Sequence, residues 1–207
     1  NLKTQQSHLK SDLYKKGEIC MYKTLSGPLV VQIEISAQCT NRCLHCYNFW
    51  RRDNDFMIPG NLSMDAVEQM IDKLISSRVF HVVFTGGEPL LNKRVLFRAI
   101  EKARAANITV GINSNLIPLN SQDAEYFKEL DIANVLTSLM APTAKSHDEI
   151  AQLKGAFGKT IRGIRLLQKA GVPVMVNMVI SQKNRHLLKE TALFTKSLGI
   201  KHFSSTR

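Results

Sequence analysis

From residue 29 onward the apolar positions follow two alternating rhythms. Leu29 to Ser36 reads as a strand, with Val31, Ile33 and Ile35 on one face and Gln32, Glu34 and Ser36 on the other. Ser63 then caps a helical pattern running through about Ser77, with Val67, Met70, Ile71 and Leu74 at helical spacing, and Val79 to Thr85 is a second apolar strand. Further helices are predicted from about Arg94 to Ala105, Ser121 to Glu129, Thr160 to Ala170 and His186 to Leu198. Between them fall strands at Ile108 to Asn113, Asn134 to Ser138 and Val174 to Val179, with a short last one around His202 to Ser204.

Strands that alternate with helices in this way predict a parallel sheet with the helices outside it, an α/β fold. Periodicity does not distinguish a closed barrel, a partial barrel and a doubly wound sheet. In each of them ligands lie at the carboxyl ends of the strands, so the residues just after each strand are the ones to examine. The polar face of the first strand is expected to line the interior. Residues 1–28 show no strong period and end in Ser26-Gly27-Pro28, which reads as a lead-in segment; 29–207 form the core domain. The longest irregular stretch, Cys39 to Leu62, has the length that functional loops have in compact domains.

Composition narrows the class. With 207 residues, 44% of them apolar, the chain can bury the core of one domain. It contains no apolar run of the roughly 18 residues that a membrane span needs, and its polar start lacks an apolar signal core, so a soluble, cytoplasmic protein is expected. Lys and Arg outnumber Asp and Glu by 28 to 17, but the excess is dispersed over helices, as on ordinary solvated faces. Three of the four cysteines lie within eight residues, which argues for metal in a reducing compartment. Cys20 stands apart and reads as a small apolar filler or a surface thiol.

The first strand runs directly into Cys39-Thr-Asn-Arg-Cys43-Leu-His-Cys46, three thiols that can converge on one soft metal centre. A zinc site is the alternative, but its fourth ligand would have to be Cys20, His45, His8 or His81, none at a familiar spacing. The second strand ends in Gly86-Gly87-Glu88-Pro89, where glycines let backbone approach a ligand and a carboxylate can pair with an ammonium. Alone this is an ordinary turn; what counts is its place beside the cysteine loop. Asn113, Ser114 and Asn115 after the third strand and Ser138 after the fourth put small polar groups on the same rim. Asn177 interrupts an otherwise apolar fifth strand and is expected to point toward cofactor or substrate. Glu34 reads as polar scaffolding with a catalytic role as the alternative, and Tyr47, Phe49 and Trp50 as cover over the cysteine loop.

The two motifs together resemble the radical S-adenosylmethionine (SAM) superfamily, in which an aromatic or His residue precedes the third Cys, here His45. The resemblance implies a partial (β/α)6 TIM-like barrel of parallel strands and a 4Fe-4S cluster on Cys39, Cys43 and Cys46 with one iron left for SAM. It further implies SAM contacts from His45, Gly86, Gly87, Glu88, Asn113, Ser114, Ser138 and Asn177. Cys46-Tyr47, Ser138-Leu139, His147-Asp148, Lys154-Gly-Ala-Phe157 and Gly171-Val-Pro-Val174, leading to Asn177 and Asn184, look like the branch of molybdenum-cofactor enzymes and SPASM or twitch peptide maturases. The substrate implied is a peptide or a small cofactor precursor, and the electron donor a flavodoxin or ferredoxin. An RNA substrate and a non-catalytic metal-binding module are the alternatives. No cysteine follows Cys46, so no auxiliary cluster is expected within these residues, and the elements that grip a substrate are expected to be missing after Arg207.

Overall fold

The computed structural model describes residues 27–48 and 60–207. Cys20, Phe49, Trp50, Arg51 and Arg52 lie outside them, as does the lead-in segment up to residue 26. Six strands form one sheet in sequence order, every neighbouring pair parallel: β1 (Val30–Ser36), β2 (His81–Gly86), β3 (Thr109–Asn113), β4 (Asn134–Ser138), β5 (Val174–Val179) and β6 (His202–Thr206). β1 and β6 do not pair, so the sheet is an open, partial barrel. The helices are α1 (Met64–Ser76), α2 (Lys93–Ala105), α3 (Ser121–Glu129), α4 (Ala144–Ala151), α5 (Ala156–Ala170) and α6 (Leu188–Ser197).

One face of every helix but α4 and one face of the sheet share a continuous core that includes Ile33, Ile35, Ile71, Phe84, Leu96, Ile112, Phe127, Val135, Ile164 and Val176. Local chemistry sets the element ends. The Ser63 hydroxyl caps α1 by accepting from the Ala66 N–H at 3.2 Å, and Asn120 with Asp123 makes a reciprocal capping box at α3.

Three expectations from the sequence change. Between β4 and α5 stands α4, hidden in the pattern because its buried face is His147, Ile150 and Ala151, which offers one large apolar residue. α5 starts at Ala156 rather than Thr160, because Asp148 on α4 accepts from the Gly155 N–H at 2.6 Å and the Phe157 N–H at 2.8 Å and so caps it from outside. The polar face of β1 is mostly exposed: Gln32 and Glu34 are open to solvent and only Ser36 is buried. Among the described residues β1 is an edge strand of the sheet.

Candidate functional site

The end of β2 is fastened to the beginning of the cysteine loop backbone to backbone. The register between β1 and β2 slips between Glu34 and Ser36, and beyond the slip Gly87 N–H donates to Ser36 O at 2.6 Å and Glu88 N–H to Gln38 O at 2.7 Å. Only glycine permits this. A Cβ on Gly86, whose φ is 130°, would lie 2.4 Å from Ser36 O, and one on Gly87 would lie 2.0 Å from Gln38 O.

The loop's other side hangs on α4. Arg42 N–H and Leu44 N–H donate to Ala151 O and Ile150 O at 3.2 and 3.0 Å, satisfying last-turn carbonyls that a helix cannot satisfy itself. α4 is in turn fixed to the end of β4: His147 is buried and its Nδ1 accepts from the Met140 N–H at 3.2 Å, while Asn184 Nδ2 donates to Met140 O at 3.1 Å. Because Nδ1 accepts, the ring proton sits on Nε2. Burial pushes the imidazole down to about 4, Asp148 opposing and His45 adding to that shift, so it is neutral at physiological pH.

These supports surround one cavity of about 450 Å³ at the carboxyl ends of the strands. Cys39, Cys43, His45, Cys46, Gly86, Gly87, Asn113, Ser114, Ser138 and Asn177 all line it, so the structure brings together every residue predicted for the site except Glu88. Asn177 also pairs with β6, its Nδ2 donating to Thr206 Oγ1 at 3.1 Å and its Oδ1 accepting from Ser204 Oγ at 3.0 Å. Tyr47 lines the cavity too and donates its hydroxyl to Glu34 at 2.8 Å, whereas Glu34 itself does not reach the wall.

Glu88 lies behind the wall, bonded to Ser114 and Asn115, which line it. It is fully buried, Oε1 accepting from Ser114 Oγ at 2.8 Å and Leu90 N–H at 3.1 Å, and Oε2 from Asn115 N–H at 2.8 Å. Burial pushes the carboxyl up to about 7, while the three donors favour its charged form. Three acceptor positions of the carboxylate are thus engaged in tying the ends of β2 and β3 together, and Oε2 keeps one lone pair for a further donor such as the ammonium expected from the sequence.

Sequence reasoning missed His147, Thr160 and Arg207 as wall residues. His147 and Thr160 sit on helices whose starts the apolar pattern hid, and only the His147-Asp148 pair gave a signal.

The donor set fits a metal centre. Burial, with like-charge repulsion from Cys39 and Cys46 added, pushes the Cys43 thiol up to about 11, and cationic iron would relieve that repulsion. Three thiols on one loop suit the irons of an iron-sulfur cluster, whereas a structural zinc site takes four protein ligands.

Residues 33–194 match the radical SAM superfamily. The chain belongs to that superfamily. Membership implies SAM and an iron-sulfur cluster as cofactors and makes this a radical SAM enzyme domain. The chain is similar to an AdoMet-dependent heme synthase of Methanosarcina barkeri (27% identity, over 86% of this chain and 50% of that one). It is also similar to the mycofactocin maturase MftC of Mycobacterium tuberculosis (28%, over 84% and 44%). It thus spans about half the length of the curated relatives it matches. In fold it resembles Streptococcus suis SuiB bound to its precursor peptide SuiA (TM-score 0.73, 18% identity, 87% of this chain and 39% of that one). The same holds for anSMEcpe with bound AdoMet (TM-score 0.73, 18%, 86% and 50%). Among the described residues no helix is long and apolar enough to cross a membrane.

Proposed function

We propose that this radical SAM domain holds a 4Fe-4S cluster on Cys39, Cys43 and Cys46 and uses it to activate SAM against a ribosomally made peptide or a cofactor precursor. The observation that carries this reading is that the three thiols, both glycines and the polar ends of β3, β4 and β5 face one cavity. When bound, the reduced cluster supplies one electron to the SAM sulfonium, releasing methionine and a 5′-deoxyadenosyl radical that takes a hydrogen atom from the substrate.

The chain's own residues bind and orient. Cys39, Cys43 and Cys46 would hold the cluster as thiolates, and three protein ligands would leave it able to take SAM as a further ligand. Gly86 and Gly87 form a wall of bare backbone beside the methionine moiety. Asn113, Ser114, Ser138 and Asn177 offer hydrogen-bond partners for ribose and carboxylate, and His45 lines the same cavity beside them as a further SAM contact. Glu88 keeps the rim in register through Ser114 and Asn115, and the free lone pair of Oε2 is the acceptor it offers to the amino group of SAM. The named relatives, a heme synthase and a peptide maturase, and the peptide bound to SuiB support the substrate classes. The electron comes from a flavodoxin or ferredoxin.

Anaerobic reconstitution tests the ligand assignment. About four iron and four sulfide per chain are expected, with Cys39→Ala, Cys43→Ala and Cys46→Ala each losing the cluster and Cys20→Ala keeping it. One tightly held zinc per chain in protein prepared without oxygen would overturn the assignment.

A further inference from the structure

Asn115, the first residue past Ser114, has a partner at every polar atom. Its N–H donates to Glu88 Oε2 at 2.8 Å, its C=O accepts from Thr160 Oγ1 at 3.0 Å, and its Oδ1 accepts from the Ile117 N–H at 2.9 Å. The last contact decides which way the amide faces, because a backbone N–H can only donate and must meet the oxygen. The NH2 group is thereby aimed at the cysteine loop. It lies 2.8 Å from Thr40 Oγ1 and 3.6 Å from Cys39 Sγ, and it is the side chain that joins β3 to that loop. The Thr40 hydroxyl donates to Asn41 Oδ1 at 3.2 Å, leaving its lone pairs to accept from Asn115. The Asn41 N–H adds a contact to Cys39 Sγ at 3.5 Å from within the loop.

We infer that Asn115 sets the reduction potential of the cluster by donating a hydrogen bond to the Cys39 thiolate, and that Glu88 serves the reaction by holding Asn115 in place. The inference rests on the ligand assignment proposed above. A donor to a cluster's sulfur stabilises the reduced form more than the oxidised one, because reduction adds negative charge, so it raises the midpoint potential. Asn115 is therefore a positioning and tuning residue, acting through Cys39 rather than on substrate. The Gly-Gly-Glu segment then does two things: its glycines admit the loop backbone and its carboxylate locks the donor that tunes the loop's first thiolate.

The test is an EPR-monitored redox titration of the native chain, Asn115→Asp and Asn115→Ala, after iron and sulfide have been measured in each. Asn115→Asp keeps the shape and the acceptor for Ile117 but replaces the donor by an oxygen; Asn115→Ala removes both. Both midpoints should fall below the native one, the Asp variant furthest. A native chain that assembles no cluster contradicts the ligand assignment. Clusters in all three proteins with one common midpoint contradict the role of Asn115. Loss of the cluster in both variants also contradicts it, since Asn115 would then be a structural prop.

Discussion

At the residue scale the site is governed by polar groups that the fold buries and fully engages. His147 shows the consequence most directly. Its imidazole must stay neutral to accept from Met140, and its pKa in the folded chain is about 4 against an ordinary 6.5. Protonation thus favours unfolding: the stability His147 contributes is complete above pH 6.5 and lost as pH falls toward 4, by up to about 1.4 kcal/mol per pH unit. Glu88 works with the opposite sign, because its raised value of about 7 means that stability is lost as pH rises from 4.5 through 7. The two are separated by subtraction. His147→Asn supplies a non-titrating acceptor, so the difference in denaturation free energy between native and variant should shrink steadily from pH 6.5 to 4.5. A difference independent of pH would show that the imidazole is not held neutral.

At the scale of elements, the cysteine loop is a bridge between β2 and α4, and its two supports were unequally legible. Gly86 and Gly87 announce a tight approach in the sequence, but that the approach is to the loop's own backbone at Ser36 and Gln38 required the register. α4 was illegible because His147 occupies a core position that hydrophobic periodicity counts as polar. β6 extends to Thr206, past its predicted end at Ser204, because its mostly exposed residues carry no alternation. Where faces are cleanly apolar or caps are strong, as in α3, β4 and β5, predicted and observed limits coincide. The β2 support yields a sharp expectation. Gly87→Ala pushes a methyl into Gln38 O and should cost on the order of 1–3 kcal/mol in chemical denaturation, the range for overpacking, and lower iron loading. Gly158→Ala, with open space around its added methyl, is the control and should leave both unchanged or slightly improved.

At the scale of the molecule, six parallel strands deliver the residues of one site from carboxyl ends far apart in sequence, which is why residues from Cys39 to Asn177 share a single cavity. The α/β class was readable from the alternation of elements; the partial, open barrel was readable only through the family resemblance that the two motifs carry, since nothing in a strand's own pattern says whether a neighbour lies beyond it. Gln32 and Glu34 of β1, an edge strand among the described residues, are exposed, and Glu34 accepts from Tyr47. The central claim is that these residues form a cluster-bearing site that cleaves SAM. It is tested most directly by counting 5′-deoxyadenosine formed from SAM by the anaerobically reconstituted, chemically reduced chain, with Cys43→Ala in parallel. The account predicts 5′-deoxyadenosine and methionine in equal amounts from the native chain and none above background from the variant. Equal product from both proteins, or none from a native chain carrying its full iron and sulfide, would contradict it.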